Sequence, residues 1–348
     1  MNYSSSVDVV IITALAKERD AFLHHSPLAV ENNVQGRTWH HLTLQTKTGH
    51  NYEVRLVSLS HMGNISAAIA THQAIAVWNP TQIILAGIAG GLREGAKRYL
   101  GDVIVGEQVV YYEYGKQTAT AVQRRYQVYR PASILVNEAR ELARRDWTTA
   151  IKTPRPNQAG ERNFPAVHFG VVASGEKVVT DPALLSELKG DWCELIGIEM
   201  EGAGSAIAAY ESGKSPGVLL AKGISDWANA DKADDWQEYA AEASAVFVLE
   251  LLGSGPFESR PRDQVIRIDK KPYSGKAKIS ICNRLVRDWQ DLADYFDIPL
   301  HQRARFDPGR GPQEIWEWLE QRNKLYALED ALRAINREDL VSDLANNA

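Results

Sequence analysis

The sequence predicts an α/β protein with a mixed central sheet flanked by helices, followed by a small all-α C-terminal domain. Three observations predict it. From Val7 to Leu252, short β-branched runs alternate with Ala-rich stretches of helical pattern, as in a sheet covered by helices. After Leu252 the β-branched runs stop and apolar residues recur at helical spacing. Between the two regions, Gly253-Ser254-Gly255-Pro256 and Ser259-Arg260-Pro261-Arg262 read as a linker. The expected divisions are residues 5–252, a linker over 253–270, and a helical domain over 271–348.

Taken in order, Val7-Asp8-Val9-Val10-Ile11-Ile12 reads as a buried first strand, because β-branched side chains suit a pleated, packed surface. Thr13 to Glu18 then switches to a helical pattern. Glu53 to Leu59 alternates apolar and polar residues, the period of a strand. Ile65 to Val77, rich in Ala and Ile, suits a helix packed closely on a sheet. Gln82 to Ala86 is a strand running into Gly87-Ile88-Ala89-Gly90-Gly91. Val103 to Val105 and Val109 to Tyr111 read as two strands, Ser133 to Arg145 as a helix, and Val167 to Ala173 and Val218 to Lys222 as strands. Helices are expected after Gly202 and from Tyr239 to Leu252. In the C-terminal region Leu285, Trp289, Leu292 and Phe296 fall at helical spacing, as do Leu325, Leu328, Leu332 and Ile335. A third helix starts near Ile315, after a turn from Asp307 to Pro312.

Composition narrows the function. A net charge of -5, with 44% hydrophobic and 24% charged residues, is ordinary for a globular protein and offers no basic surface for nucleic acid. Cys193 and Cys282 lie far apart, without CxxC or neighbouring His spacing, so neither a disulfide framework nor a metal site is expected. His24-His25 and His40-His41 lack ligand spacing and read as surface residues. No apolar run approaches the roughly 18 residues of a membrane span, and Met1 to Ser6 has no signal-peptide pattern. The glycine cluster is neither a dinucleotide fingerprint nor a Walker loop, so no cofactor is expected. The expectation is a cytoplasmic protein that binds a small molecule.

Ile198-Glu199-Met200-Glu201-Gly202 places two acids in an apolar run, where an unpaired carboxylate is costly. Asp226 closes a second apolar run, Val218 to Ala221. Acids delivered to the ends of adjacent buried elements suit cleavage of an N-glycosidic bond, whose transition state puts positive charge on the sugar while the base leaves with the bonding electrons. Asp226, beside Ser225, is the candidate proton donor, and burial there would raise a carboxyl pKa as a donor requires. The same residue also suits an N-cap for a helix starting near Trp227. Glu201 is the candidate ribose ligand, and in an extended segment Glu199 would point to the same side. Glu18 is the third candidate, although Lys17-Glu18-Arg19-Asp20 taken alone reads as a solvated helix face. Arg124, Arg125 and Arg130, near Tyr126 and Tyr129, are candidates to grip phosphate, against the alternative of a solvated loop.

Five motifs in order carry a family resemblance: Ile11 through Glu18, Gly87 through Gly91, Ser174-Gly175-Glu176, Ile198-Glu199-Met200-Glu201 and Ile224-Ser225-Asp226. Over residues 7–252 the chain resembles the nucleoside phosphorylase and nucleosidase superfamily, most closely its methylthioadenosine/S-adenosylhomocysteine nucleosidase branch. The resemblance implies that Glu18 activates water, Glu201 holds the ribose hydroxyls and Asp226 protonates the base at N7. Met200 would pack under the ribose, and the backbone at Val178 and Val179 would read the adenine edge. Ala14, Gly90, Gly91, Glu199 and Ser225 complete the implied binding set. Phosphorylases of this superfamily place an arginine before the glycine cluster. Here Ile83-Ile84-Leu85-Ala86 stands there, which favours water as the nucleophile. The family's stacking aromatic after the Ser-Gly-acid segment is missing, and Lys177-Val178-Val179 follows instead, leaving room for a different adenine nucleoside or a nucleotide.

The C-terminal stretch from Leu285 through Ile298, with Gly309 to Pro312 and Ile315 to Glu320, resembles the death-like effector-associated domains of bacterial defence and signalling proteins. That resemblance implies a nucleosidase effector, homo-oligomeric as its family is, recruited by a protein partner to cleave adenine nucleosides or nucleotides, with ATP as a candidate substrate. Lys177, Arg124, Arg125 and Arg130 would then be the triphosphate contacts. Two rivals remain open at this level. One is a constitutive methylthioadenosine/S-adenosylhomocysteine nucleosidase; the other is an inactive fold retained as a nucleotide sensor.

Overall fold

The structure, a computed structural model, describes residues 7–93, 98–119, 121–156, 163–229, 234–259, 273–307, 309–322 and 324–346. The expected linker from Arg260 onward, Pro308 of the expected turn, and the outermost residues of both expected domains lie outside the described residues. Contacts divide the described residues into two compact units, one within 3–262 and one within 263–348.

In the larger unit the strands are β1 (Val9–Thr13), β2 (Val30–Val34), β3 (Arg37–Gln45), β4 (Asn51–Ser58), β5 (Gln82–Gly91), β6 (Val103–Tyr111), β7 (Gly115–Gln117), β8 (Val122–Arg124), β9 (Gln127–Tyr129), β10 (Val167–Ser174), β11 (Leu195–Glu199) and β12 (Gly217–Asp226). The helices are α1 (Ala16–His24), α2 (Asn64–Trp78), α3 (Ser133–Leu142), α4 (Pro182–Asp191), α5 (Gly202–Glu211) and α6 (Gln237–Gly253). The main sheet runs β11-β10-β6-β12-β5-β1-β4-β3-β2, with β9 beside β6. Neighbours are parallel around β1, β5 and β10, and antiparallel in the β2-β3-β4 meander and between β6 and β12. The mixed sheet and its flanking helices are therefore as the sequence predicts.

One pairing shapes the site. β11 also runs antiparallel to β5, through Gly197 opposite Gly91 and Ile198 opposite Gly90. Strands β5, β12, β6, β10 and β11 thereby close into a ring. A Cβ at Gly91 would lie 2.6 Å from Cγ2 of Ile224, and one at Gly197 would press into Ile104. Glycine at both positions is what lets the strands meet.

Several elements differ from expectation. The strand expected over Gln82 to Ala86 does not end before the glycine cluster but continues through it, because Ala86 to Gly90 still pair with β12. Val103 to Tyr111 is one strand, not two. The β2-β3 hairpin turns at Gln35 and Gly36, both with positive φ, and its polar first strand, Val30-Glu31-Asn32-Asn33-Val34, carries little apolar signal. His40 is buried and His25 is bound to Glu242 at 2.7 Å, so neither is the solvated residue expected.

The smaller unit holds α7 (Gly275–Arg284), α8 (Trp289–Tyr295), α9 (Leu300–Arg303), α10 (Gly311–Gln321), α11 (Leu328–Ala334) and α12 (Glu338–Asn346). Leu285, Leu292, Phe296, Ile315, Leu328 and Leu332 are buried in its own core, as their spacing predicts. The run from Leu285 to Phe296 is not one helix, however, since α7 ends before it and α8 begins within it. Among the described residues, no helix is long and apolar enough to cross a membrane.

Candidate active site

The C-terminal ends of β5, β10, β11 and β12 and the start of α1 converge on a cavity of about 260 Å³. Its walls include Glu18, Glu201 and Asp226, together with Ala14, Gly90, Val178, Val179, Glu199, Met200 and Ser225. Gly91 is not on the wall; it lies opposite Gly197 of β11. Lys177 lines the cavity, whereas Arg124, Arg125 and Arg130 do not. Arg124 instead grips Glu187 with two guanidinium nitrogens, at 3.0 and 3.1 Å, and lies over the Tyr112 ring.

Glu18 sits on the first turn of α1, and only 1% of it is exposed. Its Oε2 accepts the N–H groups of Ala14 at 2.6 Å and Leu15 at 2.9 Å, and its Oε1 accepts that of Ile88 at 2.8 Å. The solvated helix face that the local sequence suggests is thus replaced by a buried, fixed carboxylate. Burial pushes its pKa up, against the pull of Lys222 and of the backbone donors. A carboxylate with a raised pKa is a stronger base toward water.

Room for this carboxylate comes from Gly87, whose φ is +141°. A Cβ at that position would overlap the Glu18 carboxylate. Gly87→Ala is expected to cost about 1–3 kcal/mol in backbone strain and to push Glu18 off its donors. Denaturant titration and turnover, measured side by side, should show activity falling further than stability. A fully active variant would mean that the position of Glu18 is immaterial.

Strand β11 ends at Glu199, and Glu201 takes the N-cap position of α5 with φ -125° and ψ -25°. The segment is not extended through Glu201, yet both carboxylates reach the same cation. Lys222 Nζ lies 2.6 Å from Glu201 Oε2 and 3.1 Å from Glu199 Oε2. Glu201 Oε1 also accepts the Gly63 N–H at 3.0 Å. Glu199 accepts the N–H groups of Glu201 and Gly202, each at 2.9 Å, so it closes the open start of α5.

Lys222 is 1% exposed and escaped the sequence analysis. Burial pulls its pKa down, but Glu201, Glu199 and Glu18 outweigh this and drive it up, so it stays protonated. A lone lysine in Val218-Leu219-Leu220-Ala221-Lys222-Gly223 is the signal that marks it. Asn64 was missed as well. Its side chain donates to Gly175 O at 2.9 Å and accepts from Gly204 N at 2.7 Å and Ser174 Oγ at 3.1 Å, joining β10, α2 and α5 behind the ribose acid.

Asp226 ends β12, where Oδ1 accepts the Ala228 N–H at 2.8 Å and Oδ2 accepts the Ser225 hydroxyl at 3.1 Å. No helix starts at Trp227, so the carboxylate caps a turn and not a helix. Val179 is buried and Val178 is 52% exposed at the wall beside it. Such an arrangement can donate a proton from one acid, hold hydroxyls on a second and take a proton from water with a third.

The strand ring gathers three acids at one end, and the family comparison says to which superfamily such a chain belongs. Residues 8–253 match the phosphorylase superfamily, and the chain belongs to it. Residues 275–347 match bacterial death-like domain 3. Among relatives, ATP nucleosidase Cap17 of Escherichia coli (strain KTE188) is 28% identical over 216 residues; the match spans 58% of this chain but only 41% of that protein's length. The 5'-methylthioadenosine/S-adenosylhomocysteine nucleosidase of Chromohalobacter salexigens is 27% identical over 257 residues, covering 70% of this chain and 96% of the relative. In fold, the chain is similar to the Neisseria meningitidis nucleosidase of that name in complex with methylthio-immucillin-A, with a TM-score of 0.55, 21% identity, and coverage of 71% and 99%. It is likewise similar to futalosine hydrolase of Helicobacter pylori strain 26695, at TM-score 0.56 and 19% identity, with coverage of 71% and 97%. These relatives are nucleosidases, N-glycosidic hydrolases.

Proposed function

We propose that this protein hydrolyses the N-glycosidic bond of adenine nucleosides or nucleotides, ATP among them, and releases free adenine. The observation that carries the reading is the meeting of Glu18, Glu201 and Asp226 on one cavity wall. Asp226 protonates the base at N7, and the C1'–N9 bond breaks with its electron pair going to the base. Glu201, paired with Lys222, anchors the ribose hydroxyls and steadies the positive charge at C1'. Water adds to C1' and its proton passes to Glu18. Water, not phosphate, is the nucleophile in this reading, since among the described residues the wall holds no arginine and its acids would repel an anion.

The match to a death-like domain supports recruitment of the protein, as a bacterial antiphage or signalling effector, by a protein partner. Exposed Ile65 and Ile69 on α2, with Ile207 and Tyr210 on α5, support assembly with further copies of the chain. A second reading, a constitutive methylthioadenosine/S-adenosylhomocysteine nucleosidase, is favoured by relatives of that name that the match covers almost end to end. Phosphate-free reactions with adenosine, methylthioadenosine, AMP and ATP, followed by chromatography, separate the two. Adenine from ATP supports the nucleotide reading, and adenine from methylthioadenosine alone supports the second. No adenine from any of them refutes the hydrolase.

A further inference from the structure

The cavity is acidic within and cationic at its edge. Glu18, Glu199, Glu201 and Asp226 line it, and the buried Lys222 is held by Glu199 and Glu201. A phosphate placed deep would meet this negative charge. Any phosphate on a bound nucleoside must lie at the edge, beyond the sugar's C5'. The wall also includes Leu15, Met62 and Gln237, none of them acidic, and a 5'-phosphate directed toward them would avoid the carboxylates.

Lys177 lines the cavity, and Lys17 reaches Gln237, which lines it too. Lys177 Nζ lies 3.2 Å from Glu113 Oε1, so its charge is already offset. Lys17, exposed on α1 between Leu15 and Glu18, has its Nζ 2.7 Å from Oε1 of Gln237. Gln237 is the first residue of α6 and lines the cavity, so the ammonium is tied to a residue of its wall. Its amide is neutral and leaves the lysine's charge uncancelled. An ammonium has three N–H donors, and one bond to Gln237 leaves two for phosphate oxygens. We propose that Lys17, held by Gln237, is the subsite for the 5'-phosphate of a nucleotide substrate. This rests on the hydrolase reading above and adds what selects nucleotides over nucleosides.

The test is the ratio of kcat/KM for ATP to that for adenosine. Lys17→Ala should lower the ratio about tenfold, the scale of one hydrogen bond to a charged group, and the loss should shrink with added salt. Gln237→Glu, which sets a carboxylate beside the ammonium, should lower it as well. An unchanged ratio, or equal losses on both substrates, overturns the subsite. Wild-type protein that cleaves adenosine but neither AMP nor ATP overturns it too, while leaving the hydrolase reading intact. If no substrate is cleaved, that reading falls, and calorimetry with ATP judges the subsite alone: equal affinity for wild type and Lys17→Ala rejects it.

Discussion

Asp226→Asn is expected to slow adenine release by about 10²–10⁴-fold, the usual contribution of a general acid, with the fold unchanged. The substitution keeps size and shape. The side-chain carbonyl of Asn can still accept the Ala228 N–H that Oδ1 accepts now, and the Ser225 hydroxyl can turn from donor to acceptor toward the new amide. Only the transferable proton is lost. Because the effect belongs to bond cleavage, kcat should fall with little change in KM. Measured under saturating substrate, a wild-type kcat would remove Asp226 as the acid. A loss of cooperative unfolding would show instead that the carboxylate is needed to close its turn.

The parts of this site that are legible in the sequence are those where a charge breaks an apolar run. Glu199, Glu201 and Asp226 stand out for that reason, since a buried charge needs a partner or a task. Lys222 obeys the same rule, but nothing local tells which acids it meets; Glu201 lies 21 residues away along the chain. Glu18 is the opposite case. Its neighbours make it read as solvated, and its burial depends on Ile88, 70 residues on, and on the space left by Gly87. Arg124 looks like a phosphate ligand for as long as Glu187, 63 residues distant, is out of view. In the fold, buried strands and Ala-rich helices are legible by composition and period. The ring closure is not, because it depends on two glycine-bearing strands meeting across the sheet. In the helical unit the apolar spacing identifies the core but not the helix ends, since a chain turning between short helices keeps its apolar residues inward.

The second large effect is expected from Lys222→Met, which keeps most of the side-chain volume and removes the charge. Breaking a buried ion pair from one side typically costs about 3–5 kcal/mol, because the remaining charge is left buried and unpaired. Here two carboxylates lose their partner at once. The pH dependence identifies the cause. In the wild type the Lys222 pKa is raised above the ordinary 10.5, so its stabilisation is complete below that value and is lost only as pH climbs through the folded pKa. Lys222 therefore adds no pH dependence near neutrality. In the variant, Glu199 and Glu201 are buried without a cation, so their folded pKa values rise above the unfolded ones. The native state then binds more protons than the unfolded chain, and stability increases as pH falls. Denaturant titrations at about pH 5.5 and pH 8 should accordingly show a larger deficit at the higher pH. Adding Glu199→Gln to Lys222→Met should restore part of it, since the amide oxygen can still accept the Gly202 N–H without carrying charge. A deficit equal at both pH values and untouched by Glu199→Gln would mean that Lys222 contributes through packing.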